Sequence, residues 1–195
     1  RLRRYDEGEK VTMKGPAQQF SDGSLKRPEF EIEWKNNSLK RILDLIQDIG
    51  VSLSSTLSGQ NVDPELSIRS LGLDVIQKRD TCRTSRKIFD SRHSESIAQL
   101  DIDQVSFMCR GRKFTHYEIE IERRAPEDCP VIQKSLEYLK RRFGEFVRLW
   151  TLDKLTTVQL ICDLFESGNL IGIGPGALLT SSAYEKVHEE FDRRM

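Results

Sequence analysis

The feature that most limits how this chain folds is strict two-residue alternation of charged and apolar side chains. Tyr117-Glu118-Ile119-Glu120-Ile121-Glu122 alternates without a break, and so does Glu29-Phe30-Glu31-Ile32-Glu33-Trp34. Successive side chains of a strand point to opposite faces. The pattern therefore puts Phe30, Ile32 and Trp34 on one face and Glu29, Glu31 and Glu33 on the other. Helical period would scatter these acids around a cylinder, so the segments call for half-buried antiparallel strands. Residues 1–5 and 10–14 alternate on either side of the Asp6-Glu7-Gly8-Glu9 turn signal and read as a hairpin. A polar loop at Asp22-Gly23 precedes the strand at 27–34. Residues 73–78, 82–89, 97–107 and 115–124 read as further strands, with a turn at Arg110-Gly111-Arg112.

The period changes at 38–49. Leu39, Ile42, Leu43, Leu45, Ile46 and Ile49 recur at helical spacing, with Asn37 or Ser38 to cap the start and Gly50 to stop it. Residues 51–72 are Ser-rich and irregular, with a short helix after Pro64. From Pro130 the chain is helical. Ile132, Leu136, Leu139 and Phe143 mark one face of a helix that Gly144 ends. A second helix runs from Asp153 to Glu166, and a third from Ser181 or Ser182 onward. Strands, one helix, strands and then helices make an α+β fold with a mainly antiparallel sheet. The expected division is a sheet domain over 1–129 and a helical extension over 130–195.

Lys and Arg total 31 and so do Asp and Glu, for a formal net charge of zero. This excludes nucleic-acid binding driven by bulk charge, and no specific nucleic-acid partner is expected. No run of about 18 apolar residues marks a membrane helix. Cys82, Cys109, Cys129 and Cys162 form no CxxC pair and read as free thiols of a cytoplasmic protein. His93, His116 and His188 lack ligand spacing. Gly172-Ile173-Gly174-Pro175-Gly176 lacks the Lys-Ser/Thr ending of a phosphate loop and reads as a turn. Lys140-Arg141-Arg142 reads as a solvated helix face.

The strand charges are sorted by sign. Glu29, Glu31 and Glu33 share a face, as do Glu118, Glu120 and Glu122, and Asp101 pairs with Asp103. Arg1, Arg3, Lys14, Lys78, Arg79, Arg83 and Arg86 supply the bases. One reading is a set of solvated outer faces. The other follows from repulsion among like charges in file, which mixed signs on a wet surface would avoid. Carboxylate oxygens suit hard divalent cations, and Lys and Arg suit phosphate oxygens. Together they describe an enclosed site for a metal–polyphosphate complex.

The motifs occur in a definite order. Arg1-Leu2-Arg3 is followed by Val11-Thr12-Met13-Lys14-Gly15-Pro16, then Arg27-Pro28-Glu29-Phe30-Glu31. Lys78-Arg79, Leu100-Asp101-Ile102-Asp103-Gln104-Val105 and Tyr117-Glu118-Ile119-Glu120 come after them. This resembles the CYTH family of triphosphate tunnel metalloenzymes over roughly residues 1–124. The resemblance implies an antiparallel eight-stranded β-barrel around a charged tunnel, with flanking helices. It implies triphosphate binding by Arg1, Arg3, Lys14, Arg27, Arg79 and Arg83. It implies Mg²⁺ or Mn²⁺ held by Glu29, Glu31, Asp103, Glu118 and Glu120, and catalytic roles for Glu118, Glu120 and Lys14. The family's opening ExExK strand has no counterpart in this sequence, so the expected barrel lacks its first strand.

The activity so implied is metal-dependent hydrolysis of inorganic triphosphate, thiamine triphosphate or a nucleoside triphosphate. The alternatives are a class IV-like adenylate cyclase and a non-catalytic polyphosphate-binding module. The expected partner is a small triphosphate compound, with no membrane and a homodimer as a possible assembly.

Overall fold

A computed structural model describes residues 1–16, 18–19, 25–35, 37–48, 50, 63–90, 94–124 and 130–195. The loop at Asp22-Gly23, the Ser-rich stretch 51–62, His93 and Cys129 lie outside the described residues. The chain divides into two compact units, Arg1–Ile76 and Gln77–Met195. The boundary expected at 129/130 therefore falls inside the second unit.

In the first unit, β1 (Leu2–Tyr5) and β2 (Gly8–Lys14) form the expected hairpin. A two-residue ladder joins β3 (Gln18–Gln19) to β4 (Leu25–Lys26). Strand β5 (Glu29–Glu33) then returns antiparallel to β2, so the sheet order is β1-β2-β5. Alternation turns Val11 and Ile32 inward. They bury against Leu39, Ile42 and Ile46 of α1 (Ser38–Asp48), together with Leu71. Ser38 fixes the entry to α1, since its hydroxyl bonds the Glu33 carbonyl and accepts from the Lys35 N–H. Asp63 caps the short α2 (Pro64–Arg69) by accepting from Glu65 and Leu66.

In the second unit, β6 (Arg79–Phe89), β7 (Ser96–Cys109) and β8 (Arg112–Arg123) form one antiparallel sheet in chain order. Arg110 and Gly111, at φ 48° and 79°, close the β7–β8 turn. Positive φ at both central residues matches the right-handed strand twist, and Gly111 supplies it without steric cost. Helix α3 (Val131–Phe143) buries Val131 with Ile97 and Ala98. Val105, Phe107, Cys109 and Phe114 pack with Val158, Leu160, Ile161 and Leu164 of α4 (Lys154–Glu166), and with Ala183 and Val187 of α5 (Ser181–Arg194). The helices after 130 thus share a core with the sheet. The Phe114 and Phe165 rings meet edge to face at 5.0 Å.

Three expectations need correction. The closed eight-stranded barrel is not formed. The chain is α+β, but its two main sheets have three strands each. Closure requires the edge strands of a sheet to pair with one another, and among the described residues no ladder joins these sheets into a ring. Residues 73–78, read as a strand, pair with no strand among the described residues. Apolar residues such as Leu73, Val75 and Ile76 suit a strand, but its backbone also needs a neighbouring ladder. Finally, Cys109 and Cys162 form a disulfide rather than free thiols, tying the end of β7 to α4, whereas Cys82 is free and exposed. No helix is long and apolar enough to cross a membrane among the described residues.

Candidate metal centre

The register of the second sheet builds a carboxylate cluster directly. Arg83 lies opposite Asp103, which lies opposite Glu118. One step along, Ser85, Asp101 and Glu120 form the next row on the same face. Four acids thus stand two by two on neighbouring strands. Like charges directly opposite destabilise a ladder unless cations intervene. Asp101 and Asp103 are buried, so solvent cannot relieve the repulsion.

Two cations intervene. Arg83 grips Asp103 bidentately, with Nε to Oδ1 at 2.7 Å and a terminal nitrogen to Oδ2 at 2.6 Å. Its remaining bonds go to Asp101 at 2.9 Å and Glu120 at 2.7 Å. The second cation, Lys154, arrives from the first turn of α4. Its Nζ lies 3.1 Å from Asp103 Oδ2 and 2.5 Å from Glu118 Oε2, and it also contacts Glu120 Oε1. Burial alone would lower the Lys154 pKa, but Glu118 and Glu120 outweigh it and hold the ammonium above its ordinary value. Burial likewise pushes Asp103 up, yet Arg83 and Lys154 keep its carboxyl below the usual range. Burial prevails at Glu118, whose pKa rises despite Lys154.

His116 lies one row inward on the same face and is 1% exposed. Neither ring nitrogen has a hydrogen-bond partner, nor does Glu118 Oε1, which lies 3.8 Å from His116 Nε2. Burial, reinforced by Lys154 and Arg79, pushes the imidazole down to about 4. It is therefore neutral near pH 7, the form that ligates metals.

Asp103, Glu118 and Glu120 each offer an oxygen within 4.8 Å of the others. Hard carboxylate oxygens fit Mg²⁺, Mn²⁺ or Ca²⁺. The orphaned imidazole and Glu118 oxygen fit an unmet demand for a cation.

Glu29 and Glu31, also expected as metal ligands, belong to the first unit. Register sets Lys10 opposite Glu33, Thr12 opposite Glu31 and Lys14 opposite Glu29. Arg3 reaches Glu31 at 2.8 Å and Glu29 at 3.5 Å, Lys10 reaches Glu31 at 3.0 Å, and Lys14 reaches Glu29 at 2.8 Å. The Lys10 contact holds the Glu31 carboxyl below its ordinary value. At Glu29, burial pushes upward, but Lys14 and the arginines win. The glutamates in file are thus stabilised by bases on the adjoining strands. Such solvent-screened pairs contribute little to stability.

Of the expected phosphate ligands, Arg3 and Lys14 sit in this ionic face. Arg1 precedes β1, and Arg27 lies between β4 and β5. Arg79 opens β6 and donates to Gln77 at 2.6 Å. Arg83 gives its Nε and both terminal nitrogens to carboxylates. Two participants lacked a sequence signal. Lys154 is one lysine in the helical region, and His116 has no neighbouring ligand at metal-binding spacing. Only parity with Glu118 and Glu120 could have pointed to His116. No family model, curated protein or solved structure matches this chain.

Proposed function

We propose that this protein is a divalent-metal-dependent phosphohydrolase acting on a triphosphate-containing small molecule. The observation that carries the reading is the Asp103–Glu118–Glu120 triad, with the buried, unpartnered His116 beside it. The ordered motifs described above support the triphosphate as substrate. A bound Mg²⁺ or Mn²⁺ would neutralise phosphate charge and lower the pKa of a water. Asp103, Glu118 and Glu120 would hold it. Arg83 orients Asp103, and its other bonds limit the rotamers of Asp101 and Glu120. Glu118 Oε1, buried and without a donor, is the acceptor available to take a proton at the site.

A second reading, non-catalytic metal–polyphosphate binding, is favoured by the commitment of Arg83 and Lys154 to carboxylates. The deciding assay is phosphate release from tripolyphosphate, thiamine triphosphate and ATP with Mg²⁺ or Mn²⁺. Turnover that Glu118→Gln abolishes is expected. Metal-dependent triphosphate binding without turnover would establish the binding module instead. Cyclic AMP formed from ATP would establish a cyclase.

A further inference from the structure

Lys154 occupies the middle of the triad that the proposed function assigns to a divalent cation. It is the first residue of α4, directly after the N-cap Asp153. A helix N-terminus carries partial positive charge and disfavours an ammonium. The three carboxylates therefore hold Lys154 there against its own helix.

The oxygens account for what can share the site. Asp103 gives Oδ1 to Arg83 and Oδ2 to both Arg83 and Lys154. Glu120 gives Oε1 to Lys154 and Oε2 to Arg83. Glu118 gives Oε2 to Lys154. Only Glu118 Oε1 remains without a partner, facing the equally unpartnered His116. A hard divalent cation needs several oxygens at roughly 2.0–2.6 Å, and with Lys154 in place this triad has one to spare. Four carboxyl groups, Asp101, Asp103, Glu118 and Glu120, here face two cations, Arg83 and Lys154.

We infer that Lys154 is a displaceable internal cation: its ammonium and the divalent metal are alternative occupants of the same oxygens of Asp103, Glu118 and Glu120. The inference rests on the metal reading of this site and adds its regulation, since metal loads only as Lys154 leaves. Departure does not require α4 to move. The ammonium sits on a flexible four-carbon stem, and Glu120, 45% exposed at its side chain, borders solvent. Lys154 is thereby a built-in competitor that sets the metal concentration at which the site fills.

The test is Mn²⁺ binding to the full chain, read from the electron paramagnetic resonance of free Mn²⁺. The proteins compared are wild type, Lys154→Met and Glu118→Gln. Removing one positive charge from contact with the site should tighten Mn²⁺ binding by about tenfold or more in Lys154→Met. Glu118→Gln should weaken it. Equal or weaker binding by a folded Lys154→Met overturns the inference while leaving the metal reading intact. Absence of Mn²⁺ binding by both wild type and Lys154→Met overturns both.

A measurement on wild type guards against a misfolded variant. The Lys154 side-chain ammonium should give a protected ¹⁵N signal that is lost or shifted to a solvent-exchanging position on Mg²⁺ saturation. A signal unmoved at a Mg²⁺ concentration that saturates binding overturns mutual exclusion. Loss of phosphohydrolase activity alone bears on neither outcome, because both readouts report occupancy rather than turnover.

Discussion

His116 Nε2 and Glu118 Oε1 lie 3.8 Å apart on one face of β8, both buried and both without a hydrogen-bond partner. An unpaired buried polar atom costs free energy comparable to a lost hydrogen bond. Two such atoms side by side, at the edge of a carboxylate triad, single this corner of the sheet out from the rest of the fold. Lys154 neutralises Glu118 through its other oxygen and leaves the imidazole unsatisfied.

The neutral imidazole makes stability depend on pH with a definite sign. The folded pKa of about 4 lies below the ordinary 6.5, because burial, Lys154 and Arg79 oppose protonation while Asp103 favours it. Between those values the unfolded chain takes up a proton that the folded protein refuses. Stability therefore falls as pH drops from 6.5 to 4, by about 3 kcal/mol from this group. The raised pKa of Glu118 acts oppositely, favouring the folded state as pH falls. Urea denaturation of the metal-free protein across this range should show the His116 component as a difference. His116→Phe should lose less stability on acidification than wild type, and parallel profiles would refute the assignment.

Glu118→Gln separates function from stability. Gln keeps the shape and removes a charge directly opposite Asp103. Folding stability should stay within about 1 kcal/mol of wild type or rise. Metal affinity and metal-dependent phosphate release should fall by at least about 10–100-fold, the range typical when a metal site loses a supporting group. A large loss of stability would mark Glu118 as structural instead.

Arg83→Met should be costly, because it leaves Asp101 and Asp103 buried with only Lys154 to balance them. Breaking a fully buried pair costs about 3–5 kcal/mol. Arg83 is 43% exposed, so water relieves part of this, and about 2–3 kcal/mol is expected in urea denaturation. Asp103→Asn in the Arg83→Met background should recover part of the loss, since it removes the uncompensated charge.

The Cys109–Cys162 bridge closes a loop with a sequence separation of 53. Chain-entropy arguments give about 4 kcal/mol for such a loop, with measured values commonly nearer 2–4 kcal/mol. Urea denaturation with and without reductant should differ by this amount. A Cys109→Ala, Cys162→Ala variant should be insensitive to reductant.

Phe114→Ala should cost about 3–5 kcal/mol. The ring is fully buried among Phe107, Phe165 and the α4 side chains, where a cavity cannot fill with solvent. Its place one row from His116 on the same strand face also makes it a control. Stability should fall without a specific change in Mn²⁺ affinity of the folded fraction.

Much of the architecture was readable from local pattern. The alternation in 29–34 and 117–122 corresponds to β5 and β8 with the acids on one face, and Leu39, Ile42 and Ile46 do form the buried face of α1. Residues 73–78 show the limit, since strand-compatible side chains without a partner strand make no ladder. The sorting of acids and bases onto different strands was also readable, but its explanation was not. Antiparallel register sets Lys14 opposite Glu29 and Arg83 opposite Asp103, so a file of like charges on one strand is answered by the next.

The sequence by itself determined which side chains share a face, because strand parity and helical period are properties of a few adjacent residues. Tertiary structure alone decided what meets those faces. It brought Lys154 from a helix into the carboxylates of β7 and β8. It enclosed His116 beneath Phe107 and Tyr184, joined Cys109 to Cys162, and left two three-stranded sheets in place of a ring. Each of these depends on contacts between residues distant in sequence. Their energies come from burial and charge pairing rather than from local pattern, so no local period records them.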